Sequence, residues 1–330
     1  MKRKSFHYIY VVFLVGIFSF FVLNQTAKAD FLEEFEVGLQ GGYRLDDLDW
    51  NIASDFAGST PNILSELSWS DLETYQVSTN GQLVSGNKNF PVLMKLRWDF
   101  GYGFIFGGDN QDSDYFGDNR TLEFSRSNNN SDDGSMIDAT VGVGPHFYSA
   151  NKRFNLSILF GYSYHEQNLT MTDGNQTIDT VVPFQLGIFS GLDSSYETQW
   201  WGPWLGVDLE VKPTDKLTIA SFFEFHFAEY EAKANWNLRS DFAHPVSFEH
   251  WGDGDYGPSD GYGIVVGLNF GVNISKFWAV NIGAKYQQWK VENGIDRVYW
   301  SDGTPPSDTR LNEVNWKSLS AALGLTYRFL

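Results

Sequence analysis

The sequence predicts an all-β fold, a transmembrane antiparallel β-barrel of about ten strands with short periplasmic turns and long extracellular loops. Three observations carry this. Apolar residues alternate with polar or small ones in run after run, aromatics make up 17% of the chain beside 32 glycines and no cysteine, and short turn signals alternate with long polar segments. Such alternation puts one face of a strand in lipid and the other in a polar lumen, and aromatic girdles mark the two interfaces.

The chain opens with Lys2, Arg3 and Lys4, an apolar run from Tyr8 to Leu23, and Ala27-Lys28-Ala29. This is the pattern of a secretory signal peptide over residues 1–29, which leaves 30–330 as the barrel. The apolar run is shorter than the roughly 20 residues of a spanning helix. Loss of the four basic residues before Asp30 takes the formal charge from −18 to −22. Such acidity disfavours a nucleic-acid partner. It leaves room for cationic ligands or for plain solubility of the loops.

The run from Phe90 to Phe106 sets Val92, Met94, Leu96, Trp98, Phe100, Tyr102 and Phe104 on one face and Lys95, Arg97 and Asp99 on the other. Charges at every second position of an aromatic strand would be costly in a dry sandwich core, whereas in a barrel interior they can pair. From Phe154 to His165 the outward set is Phe154, Leu156, Ile158, Phe160, Tyr162 and Tyr164. The last strand repeats the pattern with Leu319, Ala321, Leu323, Leu325, Tyr327 and Phe329 outward. Around Trp69 to Val77 the apolar phase breaks, which predicts a bulge.

Turn signals stand at Ser85-Gly86-Asn87-Lys88, Ala150-Asn151-Lys152-Arg153, Pro213-Thr214-Asp215-Lys216 and Ser275-Lys276. Long polar segments lie near 51–62, 108–135, 173–195, 236–258 and 296–315. Inward phases gather Lys95, Arg97, Asp99, Asp208, Glu210, Glu224, His226 and Arg328 into a lumen network. The network either handles protons or ions or simply fills a narrow barrel. Side chains fill the interior at about eight strands and open channels belong to about sixteen, so a wide pore is not expected. Trp200, Trp201, Trp204 and Trp251 are placed near the outer rim, as interfacial-belt residues or as a surface that stacks on a ligand.

The segment Asp109 to Asp118 holds four carboxylates. It departs from the EF-hand pattern at Phe116 and Gly117, so a solvated loop is the default and no metal or other cofactor is assigned.

With ten strands and five long loops laid out, the chain resembles the omptins, the outer-membrane aspartyl-type endoproteases. "LSELSWS", "GYSYHEQ", "GPWLGV" and "GLTYRFL" look like the starts of that family's second, fifth, sixth and last strands. The resemblance implies an acid pair at Asp112 and Asp114, opposed by an Asp-x-His pair. The matching stretch, "FAEYEAKANWNLR", carries Ala234 and Trp236 at those two positions, and neither transfers a proton. His244 and His250 are the candidate replacement bases; Asp241 and His244 are three residues apart, which on a strand puts them on opposite faces. The tract "EYEAKANWNLRSDFAHPVSFEHW" resembles the Protochlamydia outer-membrane-protein barrels, some of which are considered pore-forming, and implies a non-enzymatic barrel.

The sequence thus points to a non-proteolytic outer-membrane barrel acting in solute or ion passage or in cell-surface binding. The alternative is an omptin-like endoprotease cutting at basic sites through Asp112 and Asp114. Expected partners are outer-membrane lipid, with lipopolysaccharide as a candidate, and a cationic peptide or surface ligand at the extracellular loops.

Overall fold

A computed structural model describes residues 32–86, 92–181, 186–252 and 260–329. The signal peptide and the centre of the first periplasmic turn, Asn87 and Lys88, lie outside the described residues. Thirteen antiparallel strands run in chain order: β1 (Leu32–Ile52), β2 (Ser65–Ser85), β3 (Leu93–Gly117), β4 (Thr121–Asn130), β5 (Gly134–Tyr148), β6 (Phe154–Asp179), β7 (Gly187–Ile188), β8 (Asp193–Val211), β9 (Leu217–Asn235), β10 (Phe248–Gly252), β11 (Gly261–Asn273), β12 (Trp278–Val298) and β13 (Ser307–Arg328).

Their pairing closes a ring, because β13 pairs with both β12 and β1. β4 and β5 together fill the place between β3 and β6, and β10 and β11 together fill the place between β9 and β12. β7 is a two-residue addition to β6. The wall therefore has ten staves. Closure leaves no open sheet edge to pair with another chain.

Each long stave inverts its amphipathicity part-way up. On β1 the outward residues Leu39, Tyr43 and Leu45 give way to Asp47 and Asp49, while inward Gln40, Arg44 and Asp46 give way to Leu48 and Trp50. β13 does the same in reverse order, with Lys317 and Asn315 outward beyond Leu319 and with Trp316 and Val314 inward beyond Ser318 and Ser320. The physical reason is a change of solvent. Within the belt the outer face meets lipid and the inner face can be polar; beyond the belt the outer face meets water and apolar side chains are driven inward.

The belt is formed by exposed apolar side chains such as Val266, Leu268, Phe270 and Val272 on β11, Leu319, Leu323 and Leu325 on β13, and Phe329 just beyond it. That is the roughly 9–11 residues a tilted strand needs to cross a bilayer. Much of the long polar segments near 108–135, 173–195 and 296–315 is strand rather than coil: β3 continues to Gly117, β6 to Asp179, and β13 begins at Ser307. Polar outward residues there reflect water above the membrane, which a reading of hydropathy alone assigns to loops.

The bulge expected between Trp69 and Val77 is present, as register shifts between Ser70, Glu73 and Thr74 against β3, with Asp71 at φ +52°. It lets Trp69 and Leu72 both be buried.

Candidate functional site

The interior has two storeys and a mouth. In the lower, membrane-level storey the expected charges do converge. Lys95 Nζ lies 2.9 Å from Asp208 Oδ2 and Arg97 Nη1 lies 2.6 Å from Asp208 Oδ1. Arg97 also donates to Glu224, whose other oxygen is 2.9 Å from His226 Nε2, and His226 Nδ1 is 2.9 Å from Ser163 Oγ. Nearer the periplasm Arg328 bonds Glu36 at 2.5 Å, and Glu210 bonds Lys212 at 3.0 Å. A second network, outside the inward set expected from the sequence, joins Arg44 to Asp46 and to Asp138 at 2.6 Å each, and Asp138 to His165 at 2.6 Å. Its signal was the even-numbered phase of β1, read upward from Gln40.

Above this lies an apolar layer to which every stave contributes. Leu48, Trp69, Ile105, Met136, Leu169, Tyr196, Trp200, Tyr230, Val265, Trp289 and Trp316 belong to one buried cluster, with Phe248 of β10. Rings from different walls meet: Trp69 of β2 stacks on Tyr196 of β8 at 5.1 Å, and Trp200 of β8 lies 6.1 Å from Trp316 of β13. Trp200 and Trp204 are therefore interior residues, fully buried, rather than the belt or rim residues that the local sequence suggested. Trp204 fits because Gly142 and Gly161 stand beside it, where an added Cβ would lie 2.3 Å from the indole.

At the mouth, Asp112 and Asp114 are paired with Leu67 and Ser65 on β2 and with Ser127 and Ser125 on β4. Partners across an antiparallel ladder share a face, so both carboxylates point into the barrel mouth with Leu67. Burial, then the neighbouring Asp114 charge, pushes the Asp112 carboxyl well above the usual range, opposed by Arg239. Burial also raises Asp114, opposed by the Ser65 hydrogen bond and Arg239. The four carboxylates of this segment are not gathered: Asp109 is exposed, and Asp118 accepts from the Asn62 N–H at 2.9 Å.

Neither histidine considered as a base is hydrogen-bonded to the acid pair. His244 is exposed, with Nδ1 at 2.8 Å from Asn235 Oδ1 and Nε2 at 3.2 Å from the Arg239 carbonyl. His250 is buried, held between the Tyr196 hydroxyl at 2.9 Å and Asp296 at 3.1 Å, with Trp50 edge-on at 4.7 Å. The inward positions at the upper end of β9 are Ala232 and Ala234, followed by Trp236. The mouth thus brings together two carboxylates and, acting on both, Arg239.

The raised Asp112 carboxyl yields a pH prediction. The folded barrel holds this proton more tightly than the unfolded chain, so stability drains away as pH rises above the ordinary carboxyl range of about 4. Asp112→Asn should therefore raise the unfolding midpoint at pH 7 and leave it unchanged at pH 3, read by denaturant titration. An equal gain at both pH values would refute the assignment.

Residues 38–329 match the family model described as Pom: Protochlamydia outer membrane protein. No curated protein matches. Among solved structures, the outer membrane protease OmpT of Escherichia coli superposes with a TM-score of 0.70 at 13% identity, over 92% of this chain and 100% of that one. A Pseudomonas aeruginosa FadL homologue gives 0.29 at 11% identity, over 90% of this chain and 91% of that one. At these identities the OmpT likeness is one of fold.

Proposed function

Because this chain belongs to the Protochlamydia outer membrane protein family, we propose that it is a non-proteolytic surface barrel, occluded to through-passage, that binds a cationic partner at its extracellular end. The observation that carries this reading is the apolar layer fed by all ten staves. It separates the charged lumen from the outside, and it leaves the crown as the surface for interaction.

The crown's chemistry supports a partner. Phe116 and Phe124 stack at 3.9 Å at the tip of the β3–β4 hairpin, next to Leu122, which is 72% exposed. Ile188 on β7 is 88% exposed. Single exposed apolar residues are ordinary, but a stacked group at the far end of a strand extension is a contact surface. With a mature charge of −22 around it, the complementary partner carries Lys or Arg beside its apolar residues.

The belt makes outer-membrane lipid the surrounding partner. Direct contact with lipopolysaccharide phosphates is not what the outer face offers on β1 and β2, where Asp47, Asp49, Asp71 and Glu73 stand just above the belt. Proteolysis is disfavoured by the engaged states of His244 and His250 and by Ala234 and Trp236 at the positions that match the Asp-x-His pair.

The test uses the refolded barrel in lipid nanodiscs and an amphipathic peptide rich in Leu and Arg. Binding is expected, weakening as salt rises because exposed charges are screened, and falling at least about tenfold in Leu122→Asp with Phe116→Ser. Mass spectrometry of the recovered peptide should show it intact. Cleavage that disappears in Asp112→Asn would overturn the non-proteolytic reading; absence of binding would overturn the crown.

A further inference from the structure

Below the apolar layer the lumen encloses a cavity of about 260 Å³, which reaches from Glu36 and Arg328 at the periplasmic end up to His165 and Gln287. At the periplasmic end the side chains of Glu36 and Arg328 are each 20% exposed. Most of the lining is already satisfied: Lys95, Arg97 and Arg328 all have carboxylate partners within 2.9 Å.

One patch is not. Thr140 Oγ1, His165 Nε2 and both amide atoms of Gln287 are buried with no hydrogen-bond partner among the described residues. His165 and Gln287 are 4% and 0% exposed. His165 presents Nδ1 to Asp138 at 2.6 Å, which assigns the proton to Nδ1 and leaves a lone pair on Nε2. Lys285 Nζ is 4.0 Å from Asp138, beyond hydrogen-bonding distance. Asp99 lines the cavity beside them and has no ion pair within 4.0 Å and no hydrogen bond among the described residues. All six residues line the same cavity.

We infer that this patch is a binding site for a small zwitterion, whose ammonium group sits on Asp99 and whose carboxylate sits on Lys285. Buried polar groups in native proteins are hydrogen-bonded, by protein or by ordered water. Water can serve Thr140 and Gln287. It does less for two opposite charges that line one cavity without an ion pair between them, where a ligand carrying both signs makes two charge-assisted hydrogen bonds at once. Gln287, with a donor and an acceptor free, and His165, with an acceptor free, supply the neutral contacts that fix orientation. The size is right for a small solute, since sites for drug-sized ligands run to roughly 300–1,000 Å³.

The experiment titrates β-alanine into refolded residues 30–330 by calorimetry, with acetate, ethylammonium and glucose in parallel. β-Alanine should bind, and acetate and ethylammonium at least about tenfold more weakly, because each makes only one of the charged contacts. Asp99→Asn and Lys285→Met should each weaken β-alanine by a similar factor; Lys285→Gln serves if the methionine variant fails to fold. Ala220→Phe, which narrows the cavity without touching a charge, should abolish binding. No heat from β-alanine with a cooperatively unfolding barrel would reduce the patch to a water site and overturn the inference. So would binding unchanged in the Asp99 and Lys285 variants, or equal binding of a singly charged probe.

Discussion

Replacing Arg97 with methionine is expected to destabilise the folded barrel by about 3–5 kcal/mol, the cost of stranding buried carboxylates. The guanidinium holds Asp208 at 2.6 Å and Glu224 by a second bond, and it lies over the rings of Phe222 and Trp204 at 4.8 and 5.2 Å. Lys95 remains on Asp208 and His226 on Glu224, so the loss is smaller than for wholly unpaired ions. Arg97→Lys should recover part of it, since an ammonium cannot reach both carboxylates in a planar fork. The combined change Arg97→Met, Asp208→Asn, Glu224→Gln should recover most, because a neutral set no longer buries uncompensated charge. Urea unfolding in one lipid system reads all three. A triple variant no better than Arg97→Met would show that the arginine acts through packing on Trp204 and Phe222 instead.

Trp316→Ala is the other large effect, expected at about 3–5 kcal/mol for a fully buried indole. Its ring stacks on Trp289 at 5.6 Å, Arg44 lies over it at 5.5 Å, and its Nε1 donates to Asp46 at 2.9 Å. Trp316→Phe separates packing from hydrogen bonding. It keeps most of the apolar contact and loses one donor to a charged acceptor, so it should cost about 1.5–3 kcal/mol. Equal losses for alanine and phenylalanine would place the whole effect in the hydrogen bond to Asp46. The same substitution thins the apolar layer, and so couples stability to closure of the lumen.

Much of this architecture was legible in the sequence, and particular residues show where legibility stopped. The belt-level strands declared themselves because lipid outside and charge inside give clean alternation, as at Lys95, Arg97 and Asp99 between Leu96 and Trp98. The lumen pairs followed from the same parity. The apolar layer did not, because above the belt the pattern inverts and an aromatic set inside polar strands looks like a decorated loop. Yet the parity that placed Asp208 and Glu210 inward continues unbroken up β8 through Trp204, Trp200 and Tyr196. Following that phase past the hydrophobic edge would have placed those rings in the interior. The relation of Asp112 and Asp114 to His244 and His250 was not readable at all. It depends on how the 236–247 connection turns His244 toward Asn235 and brings Arg239 to the acid pair, and no periodicity encodes that.

The family resemblance carried the fold further than the chemistry. The OmpT superposition over the whole of that chain agrees with the ten-stave wall, while what occupies the interior is set by individual side chains such as Trp200, Trp289 and Trp316. A shared barrel fixes where a mouth, a belt and a lumen lie. It does not fix which of them does the work.

The central claim is that the apolar layer closes the lumen, and single-channel recording in planar bilayers tests it most directly. Refolded residues 30–330, with insertion verified by protection of the belt from protease, should show no discrete conductance steps at any moderate voltage. Reproducible ohmic steps that shift in ion selectivity with Lys95→Glu or Glu224→Gln would contradict the account, and would make the charged lumen a conduit.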